Sequence, residues 1–210
     1  NPVFRAGEQI NEVLQIHQGM SRDDAWKRAV DLMGMVGIPD PGRRAKSYPH
    51  ELSGGHRQRV VIAGALVLEP ILLIADEPVS MLDVSIRADI LNLLDELRTQ
   101  RGISVLCITH DLGTAAYFTD RIAVMYLGRI VESGPTRAVL ADPLHPYTLA
   151  LQETESAIKR VLGGEEQAVD LAPQNSFVRR AQHEMVQNAN LTSRSHGKEP
   201  YRSVRIYRES

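Results

Sequence analysis

Two short apolar runs constrain this 210-residue chain most: Ile71–Ala75, which ends in Asp76-Glu77, and Ser104–Ile108, which is followed by Thr109-His110. Neither run alternates as a strand with one wet face would, so each is expected to be a parallel strand covered on both sides. Between them, Val84–Arg101 puts Ile86, Ile90, Leu93, Leu94 and Leu97 on one side of a helix. Strand, helix, strand implies an α/β sheet with right-handed crossovers. Upstream, residues 7–36 show helical apolar stripes, Gly37–Gly42 is a loop with two prolines, Arg43–His50 is a short helix and turn, and Arg57–Leu68 is a helix. Downstream, a helix over Asp111–Asp120 leads into a hairpin of Arg121–Tyr126 and Arg129–Glu132, then a short helix over Thr136–Ala141. Past Gln152 the pattern weakens. Residues 153–168 can form a helix, while 173–210 are polar and expected to be partly irregular.

Three sites carry chemistry. Asp76-Glu77 sits at the carboxyl edge of a parallel strand, where α/β proteins bind ligands. In P-loop nucleotidases an Asp in this position holds Mg²⁺, and a neighbouring Glu can act as general base on water. The bland reading is an acidic strand end that opens a turn before Pro78. Ser53-Gly54-Gly55 precedes a helix, and its backbone N–H groups can meet a phosphate. The bland reading there is an ordinary cap with a glycine turn. His110 follows the second strand and can reach a phosphate or an attacking water; alone, it is more simply a cap or a packed side chain. His17, His50, His145, His183 and His196 lack a comparable context and are read as surface or packing residues.

Composition removes several classes. Lys and Arg number 24 against 26 Asp and Glu, a net charge of −2, which gives no support for a nucleic-acid partner. The lone cysteine, Cys107, cannot form an internal disulfide or a cysteine-rich metal site, and is expected to be a small buried hydrophobe. No segment approaches the roughly 20 apolar residues of a membrane span.

In this order, the motifs resemble those of ABC-type ATPases. Leu52-Ser-Gly-Gly-His-Arg-Gln-Arg-Val60 is similar to the ABC signature, Ile71–Glu77 to Walker B with its glutamate, Ser80-Met-Leu-Asp83 to the D-loop, and His110 to the switch histidine. Val36-Gly-Ile-Pro-Asp-Pro41, Tyr48-Pro-His-Glu-Leu-Ser-Gly-Gly55, Leu73-Ile-Ala-Asp-Glu-Pro78 and His145-Pro-Tyr-Thr148 resemble the ATP-binding subunits of oligopeptide and dipeptide importers, a group that includes nickel and glutathione importers. The resemblance implies a P-loop-type α/β fold: a helical signature subdomain over 1–56, a RecA-like core over 57–152, and a C-terminal extension over 153–210. No Gly-x-x-x-x-Gly-Lys-Ser/Thr occurs in the chain, so Walker A and the Q-loop are expected upstream of Asn1.

The same resemblance assigns roles. Two such domains would sandwich two ATP molecules. Ser53, Gly54 and Gly55, with His56 beside them, would meet the γ-phosphate held by the opposite subunit. Asp76 would hold Mg²⁺, through water, Glu77 would activate the attacking water, His110 would support the transition state, and Asp83 would couple the two sites. Expected partners are a second ABC ATPase subunit, transmembrane permease subunits and, indirectly, a solute-binding protein, at the cytoplasmic face of the membrane. His56 and Met81 depart from the usual signature and D-loop residues, and no cysteine follows Cys107 to build the iron–sulfur cluster of some relatives. Two rival readings remain: a soluble ABC ATPase outside transport, and a non-catalytic half-domain acting only as a dimer partner.

Overall fold

Arg5 and Ser21 each open a helix in the computed structural model, which describes residues 1–209 apart from Met81. The backbone N–H of Arg5 donates to Glu8 at 2.9 Å at the start of α1 (Ala6–Gln18). Ser21 accepts from the Asp24 N–H at 3.2 Å at the start of α2 (Arg22–Met35). Helix is interrupted within 7–36 because Gly19 takes φ 62°, a left-handed C-cap whose N–H returns to the Gln15 carbonyl at 3.2 Å. A short α3 (Pro41–Arg44) and a 3-10 turn (Pro49–Glu51) lead into α4 (Gly54–Leu66).

The chain divides after Ile108 into two compact units. In the first, α1, α2 and α4 bury Ile10, Leu14, Leu32, Met33, Val36 and Ala63. Strands β1 (Leu72–Asp76) and β2 (Ser104–Ile108) pair in parallel, with Asp76 opposite Ile108, and α5 (Val84–Arg101) is the crossover between them. The strands were expected to be covered on both faces; only one face is. Leu73 and Ala75 are buried, but Ile74 is 62% exposed and Leu106 53%, and Leu72 and Ile108 are exposed beside them. A two-stranded sheet whose central residues are apolar on both faces needs a layer on each side, and among the described residues only one face is buried. Cys107, expected to be buried, is half-buried; burial raises its thiol pKa, with Asp76 adding to the effect.

The second unit starts with α6 (Leu112–Phe118) and the hairpin of β3 (Arg121–Tyr126) and β4 (Arg129–Pro135), longer than expected and bulged between Val124 and Met125. Then come α7 (Thr136–Ala141) and α8 (Pro146–Gly163). Residues 168–207, expected to be partly irregular, form β5 (Ala168–Asp170), α9 (Ser176–Asn188), β6 (Thr192–His196) and β7 (Ser203–Tyr207). The strands make an antiparallel sheet in the order β5-β7-β6. Its inner face is small but sealed, since Val204 and Ile206 are 0% exposed. One core joins the parts of this unit: Leu112, Val124, Val139 and Leu151 cluster with Val161, Val186, Val204 and Ile206. Gln152, where the core was expected to give way to an extension, lies within the continuous helix α8.

Candidate functional site

Within the first unit, the glycines of the signature-like segment do not precede a helix as expected; they are its first turn. Ser53 is the N-cap of α4 and accepts from the His56 N–H at 3.3 Å. Gly54 and Gly55 therefore present backbone N–H groups at the positive end of the helix dipole, while the His56 N–H is taken by the Ser53 cap. Gly55 is required by packing, because a Cβ there would stand 2.7 Å from Ile86 Cγ2 of α5. Ser53 is exposed, so its hydroxyl combines a capping role with access to solvent.

Asp76 ends β1, exposed, and Glu77 follows it in a left-handed conformation, φ 45°. A non-glycine residue there is strained and persists only where its surroundings hold it. Here the Glu77 N–H donates to the Ile108 carbonyl at 2.9 Å, and the Glu77 carbonyl accepts from Ser80 N at 3.1 Å and Ser80 Oγ at 3.0 Å. The turn pins the glutamate backbone to both strands of the parallel pair and turns the chain sharply away from the sheet. Asp83 has a local task as well: it caps α5, accepting from Ile86 N and Ser85 Oγ, both at 3.0 Å. Those bonds, the Ile86 N–H first, hold its carboxyl below the usual range. Met81 of the same segment lies outside the described residues.

His110 belongs to the second unit. It immediately precedes Asp111, the N-cap of α6, which accepts from Gly113 N at 2.9 Å and Thr114 Oγ1 at 2.8 Å. Its Nε2 lies 2.7 Å from Asn188 Nδ2, at the end of α9. His145 is the N-cap of α8, its Nδ1 accepting from the Tyr147 N–H at 3.1 Å.

A second constellation, which the sequence motifs did not single out, lies on α9. Arg179, 7% exposed, donates through Nη2 to Glu199 at 2.6 Å and through Nη1 to the Gln174 carbonyl. One turn on, His183 bridges two hydroxyls of β6, Nδ1 to Ser193 Oγ at 2.6 Å and Nε2 to Ser195 Oγ at 2.8 Å. Burial lowers the imidazole pKa, with the charges of Arg179 and Arg202 adding to it. The four-residue spacing of Arg179 and His183 was the available signal, since it puts both on one helical face.

Asp76 suits a hard cation that keeps water and phosphate oxygens as most of its ligands. Among the described residues no cluster of three His, Cys, Asp or Glu could cage a metal without such help. Two concavities, about 340 Å³ beside α8 and Val169–Ala172 and about 210 Å³ between α2, α4 and α5, are lined by none of these site residues. Ser53, Asp76, Glu77 and Asp83 of the first unit are all exposed.

The ABC transporter family profile matches residues 3–80, and the R-three-H domain profile matches residues 149–208. A peptide import ATP-binding protein of Brucella melitensis is 54% identical over 151 residues, 72% of this chain and 45% of that protein. The dipeptide transport ATP-binding protein DppD of Bacillus subtilis is 50% identical over the same length, 45% of the relative. The oligopeptide transport ATP-binding protein OppD of Bacillus subtilis is 53% identical, 42% of the relative. The chain thus spans about half the length of the curated relatives it matches. Among solved structures, a dimeric ATP-binding cassette bound to ADP and Pi superposes with TM-score 0.57 at 32% identity, covering 65% of this chain and 59% of that one. CbiO1 of Clostridium perfringens, part of an ABC transporter complex, gives 0.58 at 30% identity, covering 66% and 55%.

Proposed function

We propose that this chain, whose larger part belongs to the ABC transporter family of peptide import ATP-binding proteins, supplies the signature and Walker B half of an ATP site that a second subunit completes. The observation that carries the reading is the Asp76-Glu77 edge, where Glu77 is held in a left-handed turn by the Ile108 carbonyl. In this reading Ser53, Gly54 and Gly55 at the start of α4, with His56 beside them, bind the γ-phosphate of a nucleotide gripped by the partner, as N–H groups at a helix start do. Asp76 would hold Mg²⁺, which when bound would supply positive charge to the phosphates. Glu77 accepts the proton of the attacking water. His110 supports the γ-phosphate as charge develops, and Asp83 links the two sites across the dimer. Partners are a second ABC subunit and permease subunits of a peptide-class importer at the cytoplasmic membrane face; none of the described helices is long and apolar enough to cross a membrane itself.

The chain alone has no Gly-x-x-x-x-Gly-Lys-Ser/Thr, so on this reading it has no measurable ATPase activity by itself. Mixed with a subunit carrying that motif, it forms an ATP-dependent dimer that Glu77→Gln traps by blocking hydrolysis. Size-exclusion chromatography with ATP and Mg²⁺ decides it: no nucleotide-dependent dimer with wild type or Glu77→Gln sinks the reading. Robust Mg²⁺-dependent turnover by the purified chain, lost in Glu77→Gln, would overturn the expectation of inactivity.

A second reading, for the C-terminal part, is favoured by local charge. The expectation of no nucleic-acid partner rested on the balance of the entire chain, yet residues 171–208 hold seven Lys and Arg against two acids, Glu184 and Glu199. Arg194 and Arg205 are directly opposed across β6 and β7, a like-charge pair that Asp170 of β5, 3.8 Å from Arg205, offsets only in part. Phe177, 60% exposed, and Tyr201, 77%, offer stacking faces in the same segment. This composition suits a single-stranded polynucleotide. Fluorescence anisotropy with a labelled single-stranded oligonucleotide tests it: binding should weaken steeply with salt and fall several-fold in Arg194→Ala/Arg205→Ala. No binding at low salt removes this reading and leaves the first untouched.

A further inference from the structure

The side chain of His110 is met by a residue 78 positions further along the chain: Asn188 Nδ2 stands 2.7 Å from His110 Nε2. An amide nitrogen can only donate, so Nε2 must accept, and a neutral imidazole whose Nε2 accepts carries its proton on Nδ1. We propose that Asn188 is a positioning residue for His110, a latch from α9 that selects this tautomer and withholds Nε2 as a donor. The proposal rests on the reading of His110 as a γ-phosphate contact. A phosphate oxygen only accepts, so Nε2 could not serve it while accepting from Asn188; the latch must open, or Nδ1 must serve instead.

A single exposed hydrogen bond is weak when both partners move freely, because ordering them offsets most of the gain. Here both backbones are fixed by one core. Two residues after His110, Leu112 is 6% exposed and belongs to the cluster that holds Val186, two residues before Asn188. The chain beyond Asn188 is tied down as well. Ala189 N–H donates to Met185 O at 3.2 Å, Asn190 turns left-handed at φ 55°, and Leu191 N–H returns to Val186 O at 3.1 Å. Leu191, 8% exposed, then enters the same cluster. This is a helix end closed by a left-handed residue and anchored by an apolar one. Asp111, after His110, is held by its own capping bonds. The C-terminal part thus reports directly to the histidine at the end of the β2 strand's sequence.

The test is a long-range ¹H–¹⁵N spectrum of the imidazole nitrogens of the full chain without nucleotide, at about pH 8, above the ordinary histidine pKa of about 6.5. His110→Gln assigns the signal. The wild type is expected to show a protonated Nδ1 and an unprotonated Nε2. Asn188→Ala should lose that selection. Asn188→Asp, of similar size but accepting only, should move the proton to Nε2. Gln187→Ala, an exposed neighbour on the same turn, should change nothing. A merely structural Asn188 would not reverse a tautomer. A wild type already protonated on Nε2, or an Asn188→Ala spectrum like wild type, overturns the proposal. The dimer-trapping experiment is independent, so its failure would remove the ATPase reading while these spectra still decide the latch.

Discussion

At the scale of single residues, Gln182 is anomalous. It is 0% exposed within α9, and neither its Nε2 nor its Oε1 has a hydrogen-bond partner. Each orphaned buried polar atom costs about 1–3 kcal/mol, whereas an apolar group of similar shape costs nothing of the kind. Gln182→Met, close in length and volume, should therefore raise stability by roughly 1–3 kcal/mol, and a thermal melt that is unchanged or lower would contradict this. Gln182→Ala should do worse than Met, because it opens a cavity. Residues of this kind also explain what could be read in the sequence. The places of Asp76, Glu77 and Ser53, at a strand end and a helix cap, were legible because each sits beside a strand end or glycine pair whose period or breaker marks it. Arg179 and His183 were not, because a histidine gains meaning from its neighbours across the fold, here Ser193 and Ser195. The whole-chain charge of −2 then hid the basic segment around them.

At the scale of elements, periodicity served wherever one face of a helix is apolar, as in α5 and α7, whose limits match expectation. It failed at the start of α4, since two glycines read as a loop and nothing in the sequence shows that Gly55 must pass under Ile86. It failed again over β6 and β7, where polar residues outnumber apolar ones and the sealed inner face depends on few side chains. Element ends, by contrast, make pH-dependent demands. Glu132 of β4 accepts from Leu144 N at 2.8 Å and His145 N at 3.1 Å and so fixes the entry to α8. The Thr148 hydroxyl first, then these N–H groups, hold its carboxyl below the usual range. A depressed carboxyl pKa adds stability that is present above the unfolded-state value, near 4.3, and is lost as pH falls through the folded one. Glu132→Gln should thus lower the melting temperature at pH 7, and the gap to wild type should close as pH falls below about 4. A gap that stays constant with pH would show that Glu132 acts by shape alone. The apolar face of β1 and β2 makes a different demand. Ile74→Thr/Leu106→Thr keeps strand propensity while removing exposed apolar surface, and should raise the monomer fraction in sedimentation velocity; an unchanged distribution would mean that this face does not drive self-association.

At the scale of the molecule, the question is whether the C-terminal segment that matches a second family is an appendage or part of the fold it follows. The R-three-H profile begins at residue 149, near the start of α8. An appendage would have its own core and a linker at that point. Instead the helix is unbroken from Pro146 to Gly163, and Leu151, Ala157, Ile158 and Val161 on it share a cluster with Val124 of the hairpin and Ile206 of β7. The second unit should then unfold as one. Ile206→Ala removes a side chain that is 0% exposed and should cost about 2–5 kcal/mol. Native-state hydrogen exchange locates the cost. With a shared core, amides of β3 and β4 lose protection along with those of β5–β7, because the hairpin's inner residue Val124 loses the same support. With separable cores, only the amides of β5–β7 and α9 would exchange faster, and the continuity of α8 would be a covalent connection without energetic coupling. The first outcome would also explain why a hydrogen bond as exposed as that of Asn188 to His110 can be held in place: its two ends would belong to one cooperative unit.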